Sequence, residues 1–113
     1  MPWKSTEPVL SQRALNRATL ARQFLIDRSS LPALEVVRHL VGLQSQAPDP
    51  PYIGLWSRMA SFHPSELERL LVDRVVVRMA VMRSTIHVVT ADDCLSSRCC
   101  PAGARTQHAI LAR

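Results

Sequence analysis

Two neutral amides, Gln44 and Gln46, stand two residues apart in the stretch VGLQSQAPDPPYIGLW, after Gly42 and before a proline-rich turn. Glutamine takes up no proton at physiological pH, so the pair cannot act as a general base in the way two carboxylates could. Its carbonyl oxygen can accept a hydrogen bond from water and turn a dipole toward developing positive charge. The same amides could touch a nucleotide, or hydrogen-bond loop backbone and position the APDPP turn. In a continuing helix the two side chains would lie about 200° apart, whereas in an extended chain residues i and i+2 point the same way. Gly42 and the following prolines favour the extended form, so the two amides are expected to act together. Asp49, the nearest carboxylate, sits between prolines and reads as a turn residue.

The chain has 113 residues, of which 47% are hydrophobic and 20% charged, which suits one globular domain and argues against disorder. No apolar run approaches the roughly 18 residues of a membrane span. The polar, proline-bearing start MPWKSTEPV lacks the order of a secretory signal, so a cytoplasmic location is expected. The formal net charge is +5, and Lys4 is the one lysine among 14 basic residues. Arginine makes bidentate contacts with phosphates and base edges, so this balance points to a polyanion, nucleic acid first. Three cysteines, Cys94, Cys99 and Cys100, suit neither a disulfide framework nor a C-x-x-C zinc site. Neither a metal nor a cofactor is expected.

The elements that must hold the amides can be read from period and punctuation. Residues 1–9 read as a flexible arm. Asn16 to Asp27 reads as a helix with Leu20, Ala21, Phe24 and Leu25 on one face. PALEVVRHLVG is a second helix with Pro32 in its first turn, burying Ala33, Val37, Leu40 and Val41, with Gly42 as the stop. After the amide turn, PYIGLWSRM reads as a short apolar helix, with Tyr52 and Trp56 expected in the core. HPSELERLLVDR reads as another helix, with Leu67, Leu70 and Leu71 inward. RVVVRMAVM then alternates, with Val75, Val77, Met79 and Val81 on one face and Arg78 on the other, and TIHVVT supplies its hairpin partner. Thr90 looks like a helix cap, although residues 96–113 show no clean amphipathic period and read as an irregular tail. The predicted fold is α+β, mainly helical: helices, a short strand, two helices and a β-hairpin wing, which is the winged helix-turn-helix order, over residues 10–95.

The stretches ALNRATLARQFL, VVRHLVGLQSQAPDPPYIGLWSRM and VVRMAVMRSTIHVVTADD resemble the bacterial winged-helix DNA-binding family that includes the AlkZ-like DNA glycosylases. The similarity runs from about Leu10 to Leu95 and centres on G-L-Q-x-Q followed by P-Y-x-G-L-W-S-R. It implies tandem winged-helix modules that bind double-stranded DNA, and a Gln-x-Gln motif at the site of chemistry, matched here by Gln44 and Gln46. The residue between the two is usually aliphatic in the glycosylases and is Ser45 here. Full members are longer, so the chain resembles their N-terminal part, and the tail beyond Leu95 suggests a truncated or frame-shifted product.

On this reading the parent activity is that of a monofunctional DNA glycosylase that needs its downstream modules and hydrolyses the N-glycosidic bond of alkylated or crosslinked nucleotides. Two amides suffice where the leaving group is already good: a purine alkylated on a ring nitrogen is cationic and departs as a neutral base without an acid catalyst. Candidate DNA contacts are Arg13, Arg17 and Arg22 on the first helix, with Arg78 and Arg83 on the hairpin and near its turn. The helix in the recognition position carries Glu66, Glu68 and Asp73, which repel phosphate, so contact is expected through the Gln turn and these arginines instead. The alternatives are a non-catalytic DNA-binding or regulatory protein, in which the Gln pair is structural, and an inactive fragment. The sequence sets no oligomeric state.

Overall fold

The computed structural model describes residues 9–81 and 85–96. The element order is α1 (Gln12–Arg22), α2 (Ala33–Leu40), β1 (Leu43–Gln44), α3 (Pro50–Arg58), α4 (Pro64–Val72), β2 (Val76–Val81), β3 (Thr85–Thr90) and α5 (Ala91–Leu95). The three strands form one antiparallel sheet in the order β1-β3-β2, so the early strand closes the outer edge of the hairpin. This is the winged helix-turn-helix arrangement that the sequence predicts. Among the described residues no helix is long and apolar enough to cross a membrane.

The core forms where the apolar stripes of α2, α3 and α4 meet the sheet. Ala33, Val36 and Val37 of α2, Leu55 of α3, Leu67 of α4, Leu43 of β1, and Val76 and Val88 of the hairpin share one buried cluster with Met59. Burying the valine, leucine and methionine side chains among them contributes about 1.5–3 kcal/mol each. Proline begins two of the contributing helices, α3 and α4, where its missing N–H is harmless. In α2, Pro32 is the residue before the helix and offers no side-chain cap. Glu66 of α4 replaces that cap: its Oε1 accepts from the Ala33 N–H at 2.8 Å, joining two helices 33 residues apart.

Several sequence expectations are corrected. The first helix starts earlier, at Gln12, because Ser11 caps it by accepting from the Ala14 N–H at 3.2 Å. It ends at Arg22, and Phe24 lies beyond it at φ 57°, closing the end with the Leu25 N–H on Leu20 O. No residue of α1 is buried, since the helix rides on the surface. The stop of α2 is Val41, at φ 69°, and not Gly42. Gly42 serves close packing instead: a Cβ there would come within 3.0 Å of Val89 Cγ1 and 3.3 Å of the Val88 carbonyl oxygen.

The hairpin alternates as the sequence predicts, with Val77, Met79 and Val81 on one face and Arg78 on the other. Val76 and Val88 share the side of Arg78 and join the helical core, while Val75 is 37% exposed. Val81 and Val89 are buried on the opposite side, where α5 contacts both hairpin strands. A sheet covered on both faces has apolar residues in both registers, so alternation alone cannot choose between them. Trp56 is 59% exposed, with the Arg28 guanidinium over its ring at 5.2 Å, and so lies outside the core in which it was expected. The irregular tail is expected in 96–113, of which residues 97–113 lie outside the described residues, as do 1–8 of the expected arm.

Candidate functional site

The amide turn is extended, as Gly42 and the prolines predict: Leu43 and Gln44 form β1, with Leu43 opposite Val88 and Gln44 opposite His87. Leu43 points into the core and Gln44 is exposed on the other face of the strand. Residues directly across an antiparallel ladder share a face, so Gln44, His87 and Met79 form one row across the three strands. Among the described residues, no group hydrogen-bonds the Gln44 amide.

Gln46 behaves differently. The ladder ends with the Ser45 N–H donating to Ile86 O at 2.7 Å, and the next strand donor, the Ile86 N–H, has no backbone acceptor from β1. Gln46 Oε1 accepts it at 2.9 Å, so a side chain extends the ladder by one bond across 40 residues of sequence. The turn between the amides is held from below by Arg78. Its Nε donates to Ser45 O and to Ser45 Oγ, both at 3.0 Å, and its Nη2 donates to Ser45 O at 2.8 Å and to Gln46 O at 3.3 Å. Ser45 itself is 1% exposed and donates from Oγ to Ala47 O at 3.3 Å. The result is a rigid turn that leaves one amide anchored and the other free. His87 is oriented too: its Nδ1 lies 3.1 Å from Thr85 O and 3.4 Å from Thr85 Oγ1.

The arginine candidates divide. Arg13 and Arg17 lie one turn apart on exposed α1, and Arg22 ends that helix. Arg78 is half-buried and turned onto the Ser45–Gln46 carbonyls. Arg83 lies outside the described residues. Among the described residues the one ion pair is Glu35 with Arg38 on α2. Most of the arginine charge therefore has no carboxylate against it. Of the acidic residues on α4, Glu66 is occupied in capping α2. No described group of three or more His, Cys, Asp or Glu side chains is placed to hold a metal ion.

Sequence reasoning missed Arg58. It closes α3, donates from Nη1 to Gly54 O at 3.0 Å and from Nη2 to Gln23 Oε1 at 3.2 Å, and its Nε is buried without an acceptor. Burial lowers its guanidinium below the ordinary value. With Arg22, Gln23, His39, Leu40, Gly42 and Leu43 it lines a cavity of about 590 Å³. The one signal in the sequence was its position in the S-R that ends the apolar helix.

Comparison with known proteins agrees with this architecture. A family model described as DNA glycosylase AlkZ-like matches residues 37–109, from inside α2 through the amide turn and the hairpin and past Leu95. Among solved structures the chain is similar to Streptomyces sahachiroi DNA glycosylase AlkZ, with 28% identity and a TM-score of 0.57. That similarity covers 63% of this chain and 19% of the Streptomyces protein, so the chain corresponds to a minor part of it. No curated protein matches the chain. The matched span takes in β1, α3, α4, the hairpin, both glutamines and Arg78, and the chain belongs to the AlkZ-like DNA glycosylase family.

Proposed function

We propose that this chain is a winged-helix module that binds double-stranded DNA and contributes to hydrolysis of the N-glycosidic bond of alkylated or crosslinked nucleotides. The observation that carries the reading is the state of Gln44: exposed, without a hydrogen-bond partner among the described residues, and held at the sheet edge by a turn that Arg78 clamps. The clamp fixes the backbone of the turn, while the unpartnered Gln44 amide stays available to a ligand.

In the proposed reaction the bond between C1′ and the base nitrogen breaks, and its electron pair goes to the cationic alkylated base, which leaves neutral. Water adds to C1′ and releases its proton to solvent. Gln44 Oε1 accepts a hydrogen bond from that water and faces the positive charge developing on the sugar. Gln46 keeps its amide N–H groups for DNA or water, because its carbonyl already holds the Ile86 N–H. Arg13, Arg17 and Arg22 contact backbone phosphates, while Arg78, whose donors face the turn carbonyls, acts as a positioning residue for Gln44 and Gln46.

A second reading follows from Gln46. An amide that completes a ladder has a structural role, and it suits a DNA-binding protein that does no chemistry. Base release from duplex DNA carrying N7-alkylated guanine separates the two. Release above the spontaneous rate supports the enzyme; salt-dependent binding without release supports the binding module; no binding at low salt supports neither.

A further inference from the structure

Arg58 is a half-buried cation with no carboxylate beside it, and among the described residues its Nε finds no acceptor. Removing a charge from water without a counter-charge is costly, and proteins usually supply one. Here Gln23 and the Gly54 carbonyl offer only neutral dipoles. The cavity bordering Arg58 is also lined by Arg22, the exposed end of α1, and by His39. His39 packs on Phe24 with ring centroids 4.5 Å apart, and its Nε2 lies 2.7 Å from the Arg22 carbonyl, so it ties the end of α1 to the cavity wall. Gly42 forms part of the lining. Two arginines, a histidine and a glutamine, with no acidic side chain among the lining residues, face one opening.

We propose that this cavity between the C-terminal ends of α1, α2 and α3 binds a phosphate group, with Arg58 and Arg22 as the two cationic contacts whose full charges outweigh the partial negative charge of the helix ends. The phosphodiester of a DNA strand is the source that the charge distribution favours, and this choice of source rests on the DNA-binding reading above. Arg22 ends the exposed helix α1, about 140° around its axis from Arg17, so the cavity adds a phosphate contact on a different face of the helix from that of Arg13 and Arg17. The bound phosphate supplies the counter-charge that Arg58 lacks and fixes the duplex relative to the amide turn, because Gly42 and Leu43 line the cavity just before Gln44.

The test reads Arg58 directly. The NMR resonance of its buried Nε–H is followed during titration with a short duplex and, separately, with inorganic phosphate. In parallel, duplex affinity is measured against salt for the wild type, Arg58→Gln, Arg22→Gln and the charge-matched control Arg69→Gln. The proposal expects the resonance to move with duplex. It also expects Arg58→Gln and Arg22→Gln each to lower affinity about tenfold and the salt slope by about one, with Arg69→Gln within about twofold of wild type. A resonance that moves with phosphate but not with duplex supports the phosphate site and assigns it to a free phosphate. Duplex binding with an unmoved Arg58 resonance in both titrations overturns the site while leaving the DNA-binding reading intact. Failure to bind duplex overturns that reading, and the phosphate titration then still decides the cavity.

Discussion

The Arg78 guanidinium lies beneath the Ser45 carbonyl, with Nε at 3.0 Å and Nη2 at 2.8 Å from the same oxygen. The contact joins the wing hairpin to the residue between the two glutamines, across 33 positions of sequence. It makes the geometry of the amide turn depend on a side chain of β2. Hydrogen bonds from a charged donor contribute about 1.5–3 kcal/mol. Arg78→Met is therefore expected to lower the melting temperature by roughly 8–15 °C, from a loss of about 2 kcal/mol. Ser45→Ala removes only the two hydroxyl contacts, from Arg78 Nε and to Ala47 O, and is expected to cost about 1 kcal/mol. Thermal unfolding followed by circular dichroism checks both, and equal effects would contradict the assignment of the clamp to the carbonyl.

The two glutamines should separate on stability. Gln46→Ala leaves the Ile86 N–H without its acceptor and is expected to cost about 1–2 kcal/mol. Gln44→Ala removes an exposed, unpartnered amide and should change stability by less than about 0.5 kcal/mol. Gln46→Glu keeps an acceptor oxygen and should recover most of the loss. Denaturant unfolding of the three variants decides it, and equal destabilisation by both alanines would refute the division of roles.

Glu66 is predicted to act as the missing cap of α2. Glu66→Ala exposes the Ala33 N–H and is expected to cost about 1 kcal/mol, whereas Glu66→Gln keeps an acceptor and costs less. Amide hydrogen exchange at Ala33 reads the contact itself: faster exchange in the alanine variant, with α4 amides unchanged, is the expected result.

Val41 ends α2 at φ 69° and ψ −30°, a conformation that a β-branched residue adopts only under strain. Val41→Gly relieves the strain but adds freedom to the unfolded chain, for an expected net gain of about 0.5–1 kcal/mol. Calorimetry should show a rise of a few degrees. A fall would mean that the half-exposed Val41 side chain contributes more packing than its conformation costs.

Much of this architecture was legible in the sequence because it is written in local signals. Pro64 at the start of α4, Gly42 with the proline run after β1, and the Thr90 cap whose Oγ1 accepts from the Asp93 N–H are all short-range devices. What escaped was set by distance or by ambiguity. Phe24 looked helical because it continues the spacing of Leu20 and Ala21, yet it takes the left-handed turn that ends α1. The hairpin's alternation was legible, but which of its faces meets the helical core was not, because α5 covers the opposite face with apolar contacts as well. The roles of Gln46, Arg78 and Glu66 rest on partners 33 to 40 residues away, which no local spacing encodes. Arg58 went unnoticed because nothing beside it in sequence indicates that its guanidinium is half-buried without a counter-charge.

The central claim is that Gln44 is the free, chemically available amide of the pair. The most direct measurement is release of N7-alkylated guanine from duplex DNA by the wild-type chain and by Gln44→Ala, each first shown to be equally folded. Release above the spontaneous rate is expected from the wild type and falls to that rate in Gln44→Ala, with little change across pH 6–9 because neither glutamine titrates. Release above the spontaneous rate that is equal in the two proteins would contradict that claim, and no release from the wild type would favour the binding module instead.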